Sequence, residues 1–145
     1  MKFLFILLAS FSTLISNAGT TVDVTPAVLE SFQTTFGNAK EVSWNSSNEL
    51  FAARFTLDGQ HINAYYTAEG GLVALTRNVT VSQLPVMLQT SLKRQHNGAW
   101  ISELFEYATD EGTFYYATLE NADMKITLRS SNNNEWSTYK QIEKI

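Results

Sequence analysis

Residues 49–71 read ELFAARFTLDGQHINAYYTAEGG, and this stretch decides the fold. Side chains on both sides of Asp58-Gly59 alternate with a period of two, which is typical of β-strands with one buried face. Asp-Gly between two such runs is a strong signal for a two-residue hairpin. Gly70-Gly71 indicates a second turn. The stretch therefore predicts a run of antiparallel strands over residues 49–57, 60–67 and 72–78.

A helix is predicted before these strands. Thr25 is a suitable N-cap residue and Pro26 suits the first helical position. Gly37-Asn38 then ends the segment. The apolar residues between these signals share one helical face, namely Val28, Leu29, Phe32 and Phe36. With a short strand over residues 41–44, the first half is predicted to be one helix followed by four strands.

The second half shows the same order of elements. Thr80 or Ser82 is expected to cap a helix with an apolar face of Leu84, Leu88 and Leu92. Strands are predicted over residues 99–107, 113–119, 124–129 and 135–140. At one constant offset, Phe55 aligns with Ala117 and Ile62 with Met124. We interpret the chain as two tandem repeats, about 26–78 and 82–140, against the alternative of two unrelated segments.

The predicted fold class is α+β, with two helix-plus-four-strand repeats whose helices pack on one face of an antiparallel sheet. Alternate side chains of each strand should meet the helices, and the others should form an open face. In the first half, the helix-covered set is Val42, Trp44, Phe51, Ala53, Phe55, Ile62, Ala64 and Tyr66. In the second half it is Leu104, Tyr115, Ala117, Leu119, Met124, Ile126 and Leu128.

Residues 1–18 have the features of a secretory signal peptide. Lys2 precedes an apolar run over residues 3–15, and small residues occupy the −3 and −1 positions before a cleavage site after Ala18. A buried helix or a short membrane anchor is the alternative. We expect residues 19–145 to form the mature domain, without a membrane span, in the periplasm or secreted. The absence of cysteine favours a Gram-negative periplasm over an animal extracellular space.

Several short motifs carry a resemblance to a known family. They are Phe32-x3-Phe36-Gly37-Asn38-Ala39, Val42-x-Trp44, Phe51-x-Ala53-x-Phe55, Asp58-Gly59, Ala64-x-Tyr66 and Gly70-Gly71. Together with the leader, they resemble the PepSY-like periplasmic proteins of Bacteroidota, whose fold is similar to that of the β-lactamase inhibitor protein. The second half matches as a degenerate copy. The resemblance implies an envelope location and protein or peptide binding, and it supplies no catalytic residues.

The sequence predicts no catalytic, metal or cofactor site. His61 and His96 have no partner at metal-ligand spacing, and no serine lies in an activating motif. Gly70-Gly71 lacks the further glycines and the helix of a phosphate loop. The formal net charge of −4 disfavours a nucleic-acid partner, because such proteins carry a basic surface. We therefore predict that the protein is not an enzyme.

The open face of the sheet is the predicted binding surface. In the second half it combines several aromatic residues with cations, and these residue types are enriched at binding hot spots. The predicted partner-binding residues are Arg54, Tyr65, Phe105, Tyr107, Phe114, Tyr116, Lys125 and Arg129. The partner is expected to be a protein, a peptide or a small ligand. The alternatives are a structural or assembly role with homodimer formation through the same face, and cover of the aromatic residues within the chain itself.

Overall fold

The computed structural model describes residues 22–95, 98–130 and 134–145. The predicted signal peptide and its cleavage site, and also His96, lie outside these residues. No helix in the described ranges combines the length and apolar character needed to cross a lipid bilayer.

The described residues include two α-helices, and each follows local signals in the sequence. Helix α1 spans Pro26–Thr35, and the Thr25 hydroxyl accepts a hydrogen bond from the Val28 amide at 3.3 Å. Helix α2 spans Val86–Gln95 and begins later than predicted. Thr80 caps a separate 3-10 turn over Val81–Gln83, where its amide donates to Gln83 Oε1 at 2.8 Å. Pro85 directly precedes α2, and its carbonyl accepts a hydrogen bond from the Gln89 amide at 3.0 Å.

Eight strands form one sheet in which each strand pairs with the next along the chain. Every neighbouring pair is antiparallel. The architecture is therefore α+β, as predicted. The strands are β1 (Lys40–Ser47), β2 (Leu50–Leu57), β3 (Gln60–Tyr66), β4 (Leu72–Asn78), β5 (Trp100–Thr109), β6 (Gly112–Glu120), β7 (Met124–Ser130) and β8 (Trp136–Glu143).

Of the first two hairpin turns, one was predicted from the sequence and one was not. Asp58 and Gly59 both have positive φ, at 49° and 77°, as the predicted two-residue turn requires. A second turn of the same length joins β1 to β2 at Asn48 and Glu49, with φ of 51° and 64°. Consequently β1 continues three residues past the predicted end at Trp44. The polar segment that looked like a loop is part of the sheet.

Each helix contributes to its own hydrophobic cluster. Val28 and Phe32 of α1 pack with a buried set on β2 and β3, namely Ala53, Phe55, Ala64 and Tyr66. Phe36 is half-buried and packs on this cluster, with its ring centroid 4.8 Å from that of Phe55. Leu88 and Leu92 of α2 pack with Leu84 and with the buried strand residues Leu104, Tyr115, Ala117, Leu119, Leu128 and Trp136. Burial of these apolar side chains is the main stabilising contribution.

The strand register relates the two clusters. One row across the sheet joins Phe55, Ile62, Arg77, Glu106 and Tyr115. Directly paired residues share a face of an antiparallel sheet. Phe55 belongs to the first cluster and Tyr115 to the second, so both clusters lie on the same side. The opposite side is the open face.

Candidate functional site

The register brings most of the predicted binding residues together on the open face. One row passes through Arg54, Asn63, Thr76, Tyr107 and Phe114. A second row passes through Phe105, Tyr116, Arg129 and Ser137. The sequence-based face assignment therefore holds on strands β2 to β7. The first row runs continuously from the first half of the chain to the second.

The aromatic side chains of the second half form a connected group around Tyr116. Phe105 and Tyr116 are stacked, with ring centroids 5.0 Å apart and planes 8° from parallel. Tyr107 and Tyr139 each meet Tyr116 edge-on, at 6.2 and 5.4 Å. We define the aromatic cluster as Phe105, Tyr107, Phe114, Tyr116 and Tyr139. Edge-on and offset arrangements of this kind stabilise aromatic pairs beyond simple burial.

Arg129 lies over the aromatic cluster. Its guanidinium carbon is 4.4 Å from the ring centroid of Phe114 and 5.8 Å from that of Tyr116. Both distances are within the range of cation–π contacts, which are attractive. Arg129 Nε is buried without a hydrogen-bond partner, and Arg129 has no carboxylate in ion-pair distance within the described residues. The cluster thus presents a positive charge that is fixed by aromatic contacts.

Tyr116 stays protonated well beyond neutral pH. Burial raises the pKa of its hydroxyl above the usual value of 10, Arg129 opposes this change, and the charges of Tyr139 and Tyr107 add to it. The hydroxyl can therefore both donate and accept a hydrogen bond at the centre of the cluster. The four predicted rings are half-buried by contact with one another, whereas Tyr139 is 62% exposed.

Lys125 was predicted to lie beside the aromatic rings, but its side chain contacts Glu120 instead. Its ammonium group forms an ion pair with Glu120 at 3.3 Å, and Lys144 binds the other oxygen of the same carboxylate at 3.0 Å. Lys144 also lies 5.0 Å from the ring centroid of Trp100. Lys125 is therefore occupied in a charged group at the far end of the sheet, and we remove it from the partner-binding set.

Arg54 and Tyr65 line a depression of about 550 Å³ on the first half of the open face. Its other lining residues include Ser43, Asn45, Ser47 and Asn63. Ala52 lies between Asn45 and Tyr65 in the register, so a small side chain is flanked by larger ones. We call this feature the Arg54 depression. One strand, β4, separates it from the aromatic cluster, which begins on β5.

Sequence reasoning missed two parts of this surface. Tyr139 was outside the predicted set because no face was assigned to the residues of β8, although alternation from Ser137, which pairs with Arg129, places Tyr139 on the open face. The polar residues of β1 that line the Arg54 depression were interpreted as a loop. Their only signal in the sequence is Asn48, since asparagine tolerates positive φ better than most residues.

The acidic side chains and His61 are the groups relevant to a metal or catalytic site. Among residues 22–95, 98–130 and 134–145, no three His, Asp or Glu side chains are placed to hold a metal ion. His61 Nδ1 lies 3.0 Å from the Thr56 hydroxyl, which also donates to Glu41 at 2.9 Å. All three side chains are on an accessible strand end, and their contacts are ordinary surface hydrogen bonds.

Comparison with solved structures identifies the fold. A BLIP-like protein from Bacteroides fragilis NCTC 9343 superposes with a TM-score of 0.73 at 14% identity, over 86% of this chain and 89% of that one. A DUF2874 family protein from Bacteroides ovatus ATCC 8483 gives 0.73 at 16% identity, over 84% and 89%. This chain has a BLIP-like fold.

The BLIP-like fold confirms the structural resemblance predicted from the sequence. A further structure with this fold, from Bacteroides eggerthii DSM 20697 and provisionally assigned to the periplasm, has a TM-score of 0.73 at 13% identity, over 86% of this chain and 90% of that one. No family profile and no curated protein matches the sequence. The PepSY-like name therefore stays a prediction.

Proposed function

We propose that this chain is an exported, non-enzymatic binding protein that engages a partner protein or peptide through the open face of its sheet. The aromatic cluster, with Arg129 fixed on top of it, is the observation that carries this proposal. Contiguous apolar surface on a protein tends to mark an interaction site. Aromatic residues and arginine are also the types most enriched at binding hot spots.

The arrangement of the cluster favours tight binding for its size. Tyr116 contacts three other rings, so its side chain is held in place before a partner arrives. Ordering of side chains opposes association, and a surface that is ordered in advance avoids part of this cost. The exposed ring of Tyr139 would supply new apolar burial at about 25 cal/mol per Å².

The broader parts of the proposal have separate support. The leader-like residues 1–18 and a periplasmic assignment for one protein of the same fold support export to the periplasm. We further infer that the two halves are tandem copies of one unit, since each contains a helix and four strands. The non-enzymatic part of the proposal agrees with the sequence, in which no serine lies in an activating motif.

The experiment compares partner capture by matched surface variants. Purified residues 19–145 would be used to capture envelope proteins. The test protein is the double variant Tyr139→Ser with Phe105→Ser, and the control is the single variant Val86→Ser. Val86 is 73% exposed on α2, away from the open face. We expect the double variant to lose a saturable partner while the control retains it. Thermal melts must show both variants folded.

Sedimentation of the same proteins separates partner binding from the alternative role. A monomer that captures a distinct protein supports the proposal. A concentration-dependent dimer that Tyr139→Ser with Phe105→Ser converts to a monomer would assign the aromatic cluster to self-association. Equal capture by the wild type and the double variant would contradict a role for the cluster.

A further inference from the structure

The chemistry of the Arg54 depression differs from that of the aromatic cluster. The depression is built from strands β1 to β3, whereas the cluster belongs to β5, β6 and β8. Its volume of about 550 Å³ is in the range of small-molecule sites. Its lining is mixed, with apolar surface from residues such as Leu50 and Ala52 beside the amide and hydroxyl groups of Ser43, Asn45, Ser47, Asn48 and Asn63.

The hydrogen-bonding capacity of this lining is largely unused. Ser43, Ser47 and the Tyr65 hydroxyl have no side-chain hydrogen bond in the described part of the chain. Asn45 uses its oxygen to accept from the Ser46 amide at 2.8 Å and keeps both amide hydrogens. Hydroxyl and amide groups both donate and accept. A ligand rich in hydroxyl groups, which do the same, matches them best.

Arg54 adds a fixed positive charge. Its Nε donates to Asn63 Oδ1 at 3.3 Å, and Asn63 Nδ2 in turn donates to Thr76 at 3.2 Å. This chain of bonds across β2, β3 and β4 orients the guanidinium and leaves both terminal nitrogens unbonded within the described residues. A free guanidinium edge suits two parallel hydrogen bonds to a carboxylate.

The charge of Arg54 is not neutralised by its neighbours. Elsewhere on the sheet, Arg77 pairs with Glu106, and Lys125 and Lys144 pair with Glu120. The carboxylate of Glu41, on the paired strand β1, accepts a hydrogen bond from Thr56 at 2.9 Å. A chain with 14 acidic residues and a net charge of −4 has thus left this arginine without an ion-pair partner in the described ranges.

We infer that the Arg54 depression binds a small hydroxylated carboxylate, that is, a sugar acid. The carboxylate pairs with the terminal nitrogens of Arg54, and the ligand hydroxyls bond to Ser43, Asn45 and Ser47. The ring of Tyr65 provides a flat wall for the carbon–hydrogen face of the sugar. This site goes beyond the proposed partner-binding function and does not depend on the aromatic cluster.

The test is an NMR titration of ¹⁵N-labelled residues 19–145 with D-glucuronate, D-glucose and N-acetylaspartate amide as probes. D-glucuronate should shift the amide signals of Ser43, Arg54 and Asn63 in a saturable manner, with a dissociation constant in the millimolar range. D-glucose lacks the carboxylate and should bind at least about tenfold more weakly. Arg54→Gln should weaken glucuronate binding by a similar factor, and Arg54→Lys by less.

Arg94→Gln is the matched control, because it removes an exposed arginine of α2 that lies outside the depression and outside the aromatic cluster. It should leave the glucuronate affinity unchanged. Equal binding by N-acetylaspartate amide would overturn the sugar-acid assignment in favour of an acidic peptide side chain. Non-saturable shifts, or an affinity that Arg54→Gln does not change in a folded protein, would overturn the site. Because partner capture by the cluster is measured separately, neither result bears on the proposed function.

Discussion

Arg77 of β4 and Glu106 of β5 form a two-point ion pair on the helix-covered face, with Nε–Oε1 and Nη2–Oε2 distances of 2.9 and 3.0 Å. Arg77 Nη1 also donates to Gln60 at 2.7 Å. The pair lies between the two hydrophobic clusters, in the row of the sheet that runs from Phe55 to Tyr115, where β4 pairs with β5. It therefore links the two halves of the sheet where neither helix contributes apolar cover.

Glu106→Gln should destabilise the protein by about 1–2 kcal/mol, because it leaves a half-buried guanidinium without its counter-charge. Urea unfolding of the variant and the wild type measures this change. Glu111→Gln in the exposed β5–β6 turn is the control and should change the free energy of unfolding by less than about 0.5 kcal/mol. Equal losses for the two variants would show that the pairing of β4 with β5 does not depend on the ion pair.

Gly70→Ala should be more damaging than Gly59→Ala, although both glycines have positive φ, 87° and 77°. A Cβ at Gly70 would lie 2.6 Å from the Ala27 carbonyl oxygen of α1, whereas one at Gly59 meets nothing within 4 Å. Gly59→Ala should cost about 1 kcal/mol of backbone strain. Gly70→Ala should cost about 2–3 kcal/mol because helix α1 must also shift.

The comparison of these two variants isolates the close approach of α1 to the β3–β4 turn. Urea unfolding of both proteins gives the difference in free energy. The Thr25 hydroxyl donates to the Ala68 carbonyl at 2.7 Å and holds the helix in this position. If the two substitutions lower the free energy of unfolding equally, helix α1 shifts without cost, and its close approach to the turn does not contribute to stability.

The sequence predicted the sheet well because its signals are local. Period-two alternation, Asp58-Gly59 and the N-cap at Thr25 each act within a few residues, and the structure agrees with all of them. The β1–β2 turn escaped prediction because Glu49, a residue that rarely adopts positive φ, occupies it at 64°. The start of α2 was placed too early because Thr80 caps a 3-10 turn instead.

The candidate sites depend more on contacts between distant parts of the chain. Alternation correctly placed Phe105 and Tyr116 on one face, but only the structure shows that Tyr139 of β8 contacts Tyr116. Lys125 was on the predicted face, and only the structure shows its pairing with Glu120. The Arg54 depression arises because the small side chain of Ala52 lies between Asn45 and Tyr65 on the neighbouring strands. This arrangement depends on how three strands pair, so it cannot be predicted from any one of them.

Tyr66→Phe should leave the stability at neutral pH unchanged or slightly higher. Tyr66 is fully buried and its hydroxyl has no hydrogen-bond partner, which is unfavourable by about 1–3 kcal/mol. Burial also raises the pKa of Tyr66 from 10 to about 12. The folded state therefore binds this proton more tightly, and the wild type should lose stability as the pH rises from about 10 to about 12.

The alkaline behaviour of Tyr66→Phe provides the check. Without a titrating group at this position, the variant should lose less stability than the wild type between pH 10 and pH 12 in chemical unfolding. A parallel decline of both proteins would mean that Tyr66 meets solvent or a hydrogen-bond partner. A marked loss at neutral pH would mean that its hydroxyl is satisfied.

The free energy of unfolding at acidic pH should depend on the contact of Glu120 with Lys144. Hydrogen bonds from Ser102 and Lys144, together with Lys125, lower the pKa of Glu120 from 4.5 to about 2. The folded state therefore favours the charged form. This contribution to stability is present above pH 4.5 and is lost as the pH falls towards 2.

An NMR titration of the Glu120 side-chain carboxyl carbon measures this directly, with an expected midpoint near pH 2. Lys144→Met should raise the midpoint towards 4.5, because it removes the ammonium group 3.0 Å from the carboxylate. Added salt should raise it as well, since charges near the surface are screened. Lys144 also donates to the Asn121 carbonyl at 2.9 Å, so its replacement should loosen the chain after β8. A wild-type midpoint close to 4.5, insensitive to salt and to Lys144→Met, would show that the charged group does not form in solution.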